Sequence, residues 1–213
     1  EAVSEAALQD HYAAHPDRYR APSLYEAAHI LIPLGDDPHT ALWRGLSGAR
    51  RRIEFGLTPE CAVHADPRAR PEGFDLRIGA ASVRVSLAID GIHNVRNALA
   101  AAACATAIGI DPGTVAAGLA QFRPVRGRLA RLNGAAGATV IDDSYNANPD
   151  SVRAAIDVLN AVASPRVLVL GDMGEVGAEG PQYHREVGTY AAERGVDRLL
   201  ALGEATRDAV HAF

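Results

Sequence analysis

Along the 213 residues the spacing of apolar positions changes period several times. Residues 4–19 predict a short helix, with Ser4 as its cap, Leu8 and Tyr12 on one face, and His15-Pro16 ending it. Residues 24–34 read as a strand stopped by Pro33, and Gly35-Asp36-Asp37-Pro38 as a turn cluster at a boundary. From Arg52 the period is two. Ile53 and Phe55 begin a strand, and a loop rich in Pro and Arg follows over 64–73. Then Phe74, Leu76, Ile78 and Val83, Val85, Leu87, Ile89 alternate with polar or small residues on either side of Gly79-Ala80-Ala81-Ser82. That pattern predicts a hairpin with one buried face.

Beyond Asp90-Gly91 the period becomes helical. The Ala-rich run 93–110 favours a helix stopped at Gly109. Asp111-Pro112 then supplies a cap and a first turn for a second helix reaching about Leu119. Residues 124–129 are a connector in which Arg126 and Arg128 flank Gly127. In the last third, strands over 138–141, 166–170 and 198–202 alternate with helices begun by Asn148, running over 182–194, and starting at Glu204. This β–α alternation predicts an α/β fold with parallel strands joined by right-handed crossovers. The unbroken apolar run Arg166-Val-Leu-Val-Leu170 reads as a strand covered on both faces.

Composition narrows the chemistry. Net charge is −5 and spread along the chain, so there is no basic footprint for nucleic acid. Every one of the 21 basic residues is Arg, which removes a phosphate-loop lysine, Schiff-base chemistry and a lysine general base from these residues. Cys61 and Cys104 form neither metal-ligand spacing nor a disulfide framework and suit a reducing, cytoplasmic compartment. No apolar run approaches the ~20 residues that span a bilayer, and the first residues lack a signal-peptide pattern. The chain begins without Met and is expected to be a piece of something longer.

Ligands of an open parallel sheet bind beyond the carboxyl ends of its strands. The loops there are polar: DDSYNAN (142–148), GDMGEVG (171–177) and Gly203-Glu204. Their Asp, Asn and Gly residues serve either as turn formers and caps or as partners for phosphate, ribose or an ammonium group. The two longer loops are expected to open onto a single cleft facing Asn94. Asn94 itself either caps its helix or meets an adenine edge with its amide, and Asn97 one turn on is compatible with both. Arg128 has the fixed-charge fork suited to phosphate oxygens.

Taken together, HNVRNALAAAA, FRPVRGRLARL, ATVIDDSYNANPDSVRAAIDVL and VLVLGDMGEVG, with His184 in HREVG, resemble the Mur ligase family over residues 36–213. DDSYNANP followed by LGDMGE is most similar to the members that add D-Ala-D-Ala to UDP-N-acetylmuramoyl-tripeptide. The resemblance implies the later part of an ATP-binding central domain over 36–126 and an incomplete Rossmann-like, parallel-sheet C-terminal domain over 127–213. It implies an ATP-dependent amide ligase of peptidoglycan synthesis: the tripeptide carboxylate takes the γ-phosphate of ATP, and the amine of D-Ala-D-Ala displaces phosphate from the acyl phosphate. Carried over by position, Asn94 would bind adenine, supported by His93 and Asn97. Arg128 would reach phosphates or ribose, and Asp143 ribose or the closed form. Tyr145, Asn146 and Asn148 would line the closing face near nucleotide and dipeptide. Asp172, Glu175 and His184 are expected on the substrate side. The family's phosphate loop, Mg2+-binding carboxylate and modified lysine are expected upstream of residue 36, so these 213 residues alone are expected to lack ligase activity, with no metal site of their own.

Residues 1–35 resemble the entry to a parvulin-type peptidyl-prolyl isomerase, a helix and then a strand carrying His29 in AHILI. His29 is either a remnant of that active site or a structural strand residue. A degenerate isomerase fusion and a non-catalytic nucleotide-binding module therefore stand as alternatives.

Overall fold

The computed structural model describes residues 29–34, 39–66, 68, 70 and 72–213. The helix expected over 4–19 lies outside the described residues. His29 opens strand β1, His29–Leu34.

Strand β1 pairs in parallel with β2, Arg51–Gly56, so residues expected in a separate leader join the sheet that follows. That five-stranded sheet runs β1-β2-β3-β4-β5, with β3 at Val63–His64, β4 at Phe74–Ile78 and β5 at Ala81–Val85. The β4–β5 hairpin is antiparallel and pairs Leu76 with Val83 and Phe74 with Val85. Period-two alternation placed it correctly because one face alone is buried. Helix α1, Thr40–Ser47, gave no such signal: Leu42, Trp43 and Leu46 are exposed and Ser47 is its buried residue.

Helix α2, Ile92–Ala107, lies on the sheet, and Val95, Leu99, Ala102 and Ala103 pack with Val63, Phe74, Leu76 and Val85. Small Ala side chains let helix and sheet approach closely, and burying Leu99 fully is worth about 1.5–3 kcal/mol. Asp111 caps helix α3, Pro112–Gln121, accepting the Thr114 N–H at 3.0 Å, a contribution of about 1 kcal/mol.

A second core follows the connector. Strands β6, Ala130–Asn133, and β7, Thr139–Asp142, form an antiparallel pair. Strands β8, Val167–Gly171, and β9, Arg198–Leu202, form a parallel pair. The parallel crossover from β8 to β9 is as expected, but β7 pairs backwards onto β6. The sequence conceals β6 because its residues are largely exposed and carry no alternation. Helices α4, Pro149–Asn160, α5, Gly180–Glu193, and α6, Arg207–Ala212, supply Val152, Ile156, Val187, Ala191 and Ala209 to a core with Leu170 and Met173. They cover one face of β8. Leu168 and Leu170 turn inward while Val167 and Val169 are exposed, which corrects the expectation of a strand buried on both sides. Among the described residues no helix is long and apolar enough to cross a membrane.

Candidate functional site

Where the two cores meet there is a cleft of about 520 Å3. Its walls are apolar, from Leu87 and Ile89 after β5, Leu119 and Phe122 at the end of α3, and Leu129 of the connector. Its polar groups are His93, Asn94 and Asn97 at the start of α2, Arg128, Asp143 and Ser151. A concave, largely apolar cleft with a few convergent polar groups is the usual form of a small-molecule site.

Helix α2 begins without a side-chain cap. Gly91 is its N-cap, at φ +96°, and a side chain there would run into the His93 ring. Asn94 therefore sits within the first turn. Its Nδ2 donates backwards to the Asp90 carbonyl at 2.6 Å and meets His93 Nε2 at 2.9 Å, while its Oδ1 accepts from Asn97 Nδ2 at 3.2 Å. The capping reading of Asn94 is thus replaced by a small network facing the cleft. Burial lowers the pKa of His93 from its ordinary 6.5, with Asp143 and Asp157 pulling it up and Arg96 pushing it down.

The connector is tied to the loop after β7 at three points. Asp143 Oδ1 accepts the Leu129 N–H at 3.1 Å, Tyr145 N–H donates to the Gly127 carbonyl at 3.0 Å, and the Arg128 guanidinium lies 4.2 Å from the centre of the exposed Tyr145 ring. Gly127, at φ +78°, is needed for this approach, because a Cβ there would press on Tyr145 N at 3.1 Å. Arg131 pairs with Asp90 and adds a link from β6 to the residue whose carbonyl holds Asn94.

The remaining predicted residues divide by location. Asn148 is the N-cap of α4 in a reciprocal box with Ser151, at 2.9 and 3.0 Å. Asn146 accepts the Ala147 N–H at 2.9 Å and is exposed beside the same loop. None of residues 171–177 lines the cleft. The two polar loops belong to different sheets, since β7 pairs with β6 and not with β8. Asp172 instead accepts the N–H groups of Glu204 at 3.1 Å and Thr206 at 2.9 Å, and those backbone bonds hold its carboxyl below the usual range. Glu175 is exposed at φ +57° in that loop. His184 is fully buried: Met173 N–H donates to its Nε2 at 3.1 Å, and its Nδ1–H donates to the Gly180 carbonyl at 2.7 Å. A ring with both nitrogens occupied and no exposed surface holds the 171–177 loop. Asp90, Ser151 and the apolar wall went unremarked in the sequence; the exposed aromatic Phe122 ahead of the Arg-bearing connector was the available signal.

The class follows from the connector onward. Residues 127–212 match the family described as Mur ligase, glutamate ligase domain. The chain is 44% identical over 179 residues to the UDP-N-acetylmuramoyl-tripeptide–D-alanyl-D-alanine ligase of Escherichia coli K12, covering 82% of this chain and 40% of that protein. A crystal structure of MurF from Acinetobacter baumannii superposes with a TM-score of 0.80 at 34% identity, over 86% of this chain and 40% of that one. A MurF ligase from Thermotoga maritima, solved in complex with ADP, shares the fold at 20% identity, with a TM-score of 0.68 over 85% of this chain and 42% of that one. Residues 127–212 of this chain thus carry the Mur ligase family's domain. The chain spans between 28% and 40% of the length of the curated relatives it matches.

Proposed function

We propose that these residues are the nucleotide-side cleft and hinge of an ATP-dependent ligase that joins D-Ala-D-Ala to UDP-N-acetylmuramoyl-tripeptide in the cytoplasm. The observation that carries the reading is the convergence of Asn94, Asn97, Arg128 and Asp143, from three separate segments, on one apolar-walled cleft. The name of the Escherichia coli relative supplies the substrate class.

The residues present fit the nucleoside end of ATP. An adenine ring matches the slot between Leu119, Phe122 and the first turns of α2, with Asn94 and Asn97 along its edge. Asp143 faces a ribose hydroxyl, and Arg128, steadied on Tyr145, reaches toward phosphate oxygens. The residues do not fit the metal: among the described residues no group of three or more His, Cys, Asp or Glu side chains is placed to hold one. The reading therefore assigns Mg2+ and the γ-phosphate to the part of the relatives that this chain does not span. ATP supplies the phosphoryl group that activates the tripeptide carboxylate. The part played by these residues is to bind the base, orient the ribose and close over the cleft, which excludes water from an activated acid that water would otherwise consume. Two hydrogen bonds and the Arg128–Tyr145 stack tie the connector to the loop after β7. Tyr145, Asn146 and the α4 cap at Asn148 then lie on the side that closes.

Titrating the 213-residue chain with ADP tests the reading. Measurable binding is expected, weakened about tenfold in Asn94→Ala and in Arg128→Ala, the effect of losing one hydrogen bond to a polar ligand. Binding indifferent to both substitutions would remove the assignment.

A further inference from the structure

We propose that His93 is a positioning residue that fixes the orientation of the Asn94 carboxamide, so that the cleft selects a 6-aminopurine over a 6-oxopurine. The inference rests on the nucleotide-cleft reading above and adds the device by which the base is chosen.

The argument is one of donors and acceptors. A primary amide carries two N–H donors on Nδ2 and two acceptor positions on Oδ1. The Asp90 carbonyl, 2.6 Å from Nδ2, only accepts, so the nitrogen must face it. The second N–H points at His93 Nε2, 2.9 Å away, which is then the unprotonated nitrogen of a ring carrying its proton on Nδ1. Both donors of Asn94 are used internally. Asn97 occupies one acceptor position of Oδ1 at 3.2 Å, and what remains for the cleft is an acceptor. The exocyclic amino group of adenine can donate to it, whereas the O6 of guanine or hypoxanthine opposes lone pair to lone pair. A half-turn of the carboxamide would serve the oxopurine, but it would set Oδ1 against the Asp90 carbonyl and the His93 nitrogen together.

The ring of His93 is fixed for this task. It packs where a side chain on Gly91 would stand, and its half-buried position keeps the neutral form favoured. Its charged neighbours, Asp143 after β7 and Asp157 on α4, draw its pKa up, and Arg96 on its own helix opposes them.

Titrations of the 213-residue chain with AMP and with IMP test the device. AMP is expected to bind at least about tenfold more tightly than IMP, in line with one well-made hydrogen bond against one opposed contact. His93→Phe keeps a flat ring over Gly91 but accepts nothing from Nδ2, and it is expected to bring the AMP/IMP ratio close to one. His93→Gln, whose Oε1 can accept where Nε2 does, is expected to restore it. Imidazole 15N spectroscopy of the unsubstituted chain reads the device directly and depends on no variant: Nδ1 protonated and Nε2 bare is expected. A wild-type ratio near one, an unchanged ratio in His93→Phe, or the opposite tautomer would each overturn the proposal while leaving nucleotide binding intact. Failure to bind either nucleotide would overturn it together with the reading it rests on.

Discussion

The carboxylate of Asp143 accepts the backbone N–H of Leu129 at 3.1 Å, at the point where the connector turns through a φ of +50°. A non-glycine residue with positive φ is held there by its surroundings. Leu129 is also buried, so the bond fixes a residue of the cleft wall as well as the turn. Asp143→Ala is expected to cost about 1.5–3 kcal/mol in urea unfolding, the range for a hydrogen bond to a charged acceptor. Asp143→Asn keeps an acceptor oxygen and is expected to lose less than half of that. Equal losses in the two variants would show that the charge, and not the Leu129 bond, is what matters.

Gly188 on α5 marks where two helices touch. A Cβ on this buried residue would overlap the backbone carbonyl of Ala209 on α6, and a carbonyl has no rotamer by which to move aside. Gly188→Ala improves the intrinsic helix propensity of α5 by up to about 1 kcal/mol. It nonetheless forces α5 and α6 apart, with an overpacking cost of about 1–3 kcal/mol. A net loss of stability is expected, with faster amide exchange over 207–212. A more stable variant would mean that the helices are not in this contact.

Much of this arrangement was legible in the sequence where one physical signal dominated. Alternation fixed the Phe74–Ile78 and Ala81–Val85 hairpin because its two faces differ in burial. Asp111 and Asn148 announced helix starts because capping is a local property of side chain and backbone. The motifs around Asn94, Arg128 and Asp143 also pointed to one place, and those residues share the cleft. What failed was inference about partners distant in the chain. The order of strands implied that β7 and β8 were neighbours, but order alone does not specify pairing, and β7 turned back onto β6. Asp172 and His184 had the residue types of a binding site. The buried His184 ring is spent on Met173 and Gly180, while Asp172 stays exposed and gives part of its acceptor capacity to the N–H groups of Glu204 and Thr206. Residue type does not reveal whether a carboxylate or an imidazole faces solvent or the chain's own backbone.

The lowered pKa of His93 gives stability a pH dependence of defined sign. The unfolded chain, with His near 6.5, binds the proton more readily than the folded one. Stability from this residue is therefore complete above about pH 6.5 and is lost as pH falls toward the folded value. Asp111, Asp142, Asp172 and Asp197, held below their ordinary 3.8 by hydrogen bonds, act in a separate window: their contribution is present above about pH 4 and lost below it. Urea midpoints are expected to fall between pH 7.5 and 5.5 in the wild type and to stay flatter over that interval in His93→Phe, with the acid limb below pH 4 unchanged. A wild-type midpoint that is constant from 7.5 to 5.5 would contradict a neutral, partly buried His93.

His184 offers the strongest single test of the second core. Its ring has no exposed surface and joins the Gly180 carbonyl at the start of α5 to the Met173 N–H in the loop after β8. Replacing it with Ala removes both bonds, strands a buried N–H at a cost of about 1–3 kcal/mol, and leaves a cavity the size of an imidazole. A total loss of about 3–5 kcal/mol is expected for His184→Ala. His184→Gln can reach Met173 N–H with its Oε1 and is expected to recover part of that loss, while His184→Phe fills the volume but satisfies neither partner. If volume alone mattered, Phe would outperform Gln; if the hydrogen bonds dominate, as the geometry requires, Gln retains more stability. The same ordering should appear in the protection of the Met173 amide from hydrogen exchange, because that amide reports the anchored loop directly and is indifferent to packing lost elsewhere in the core.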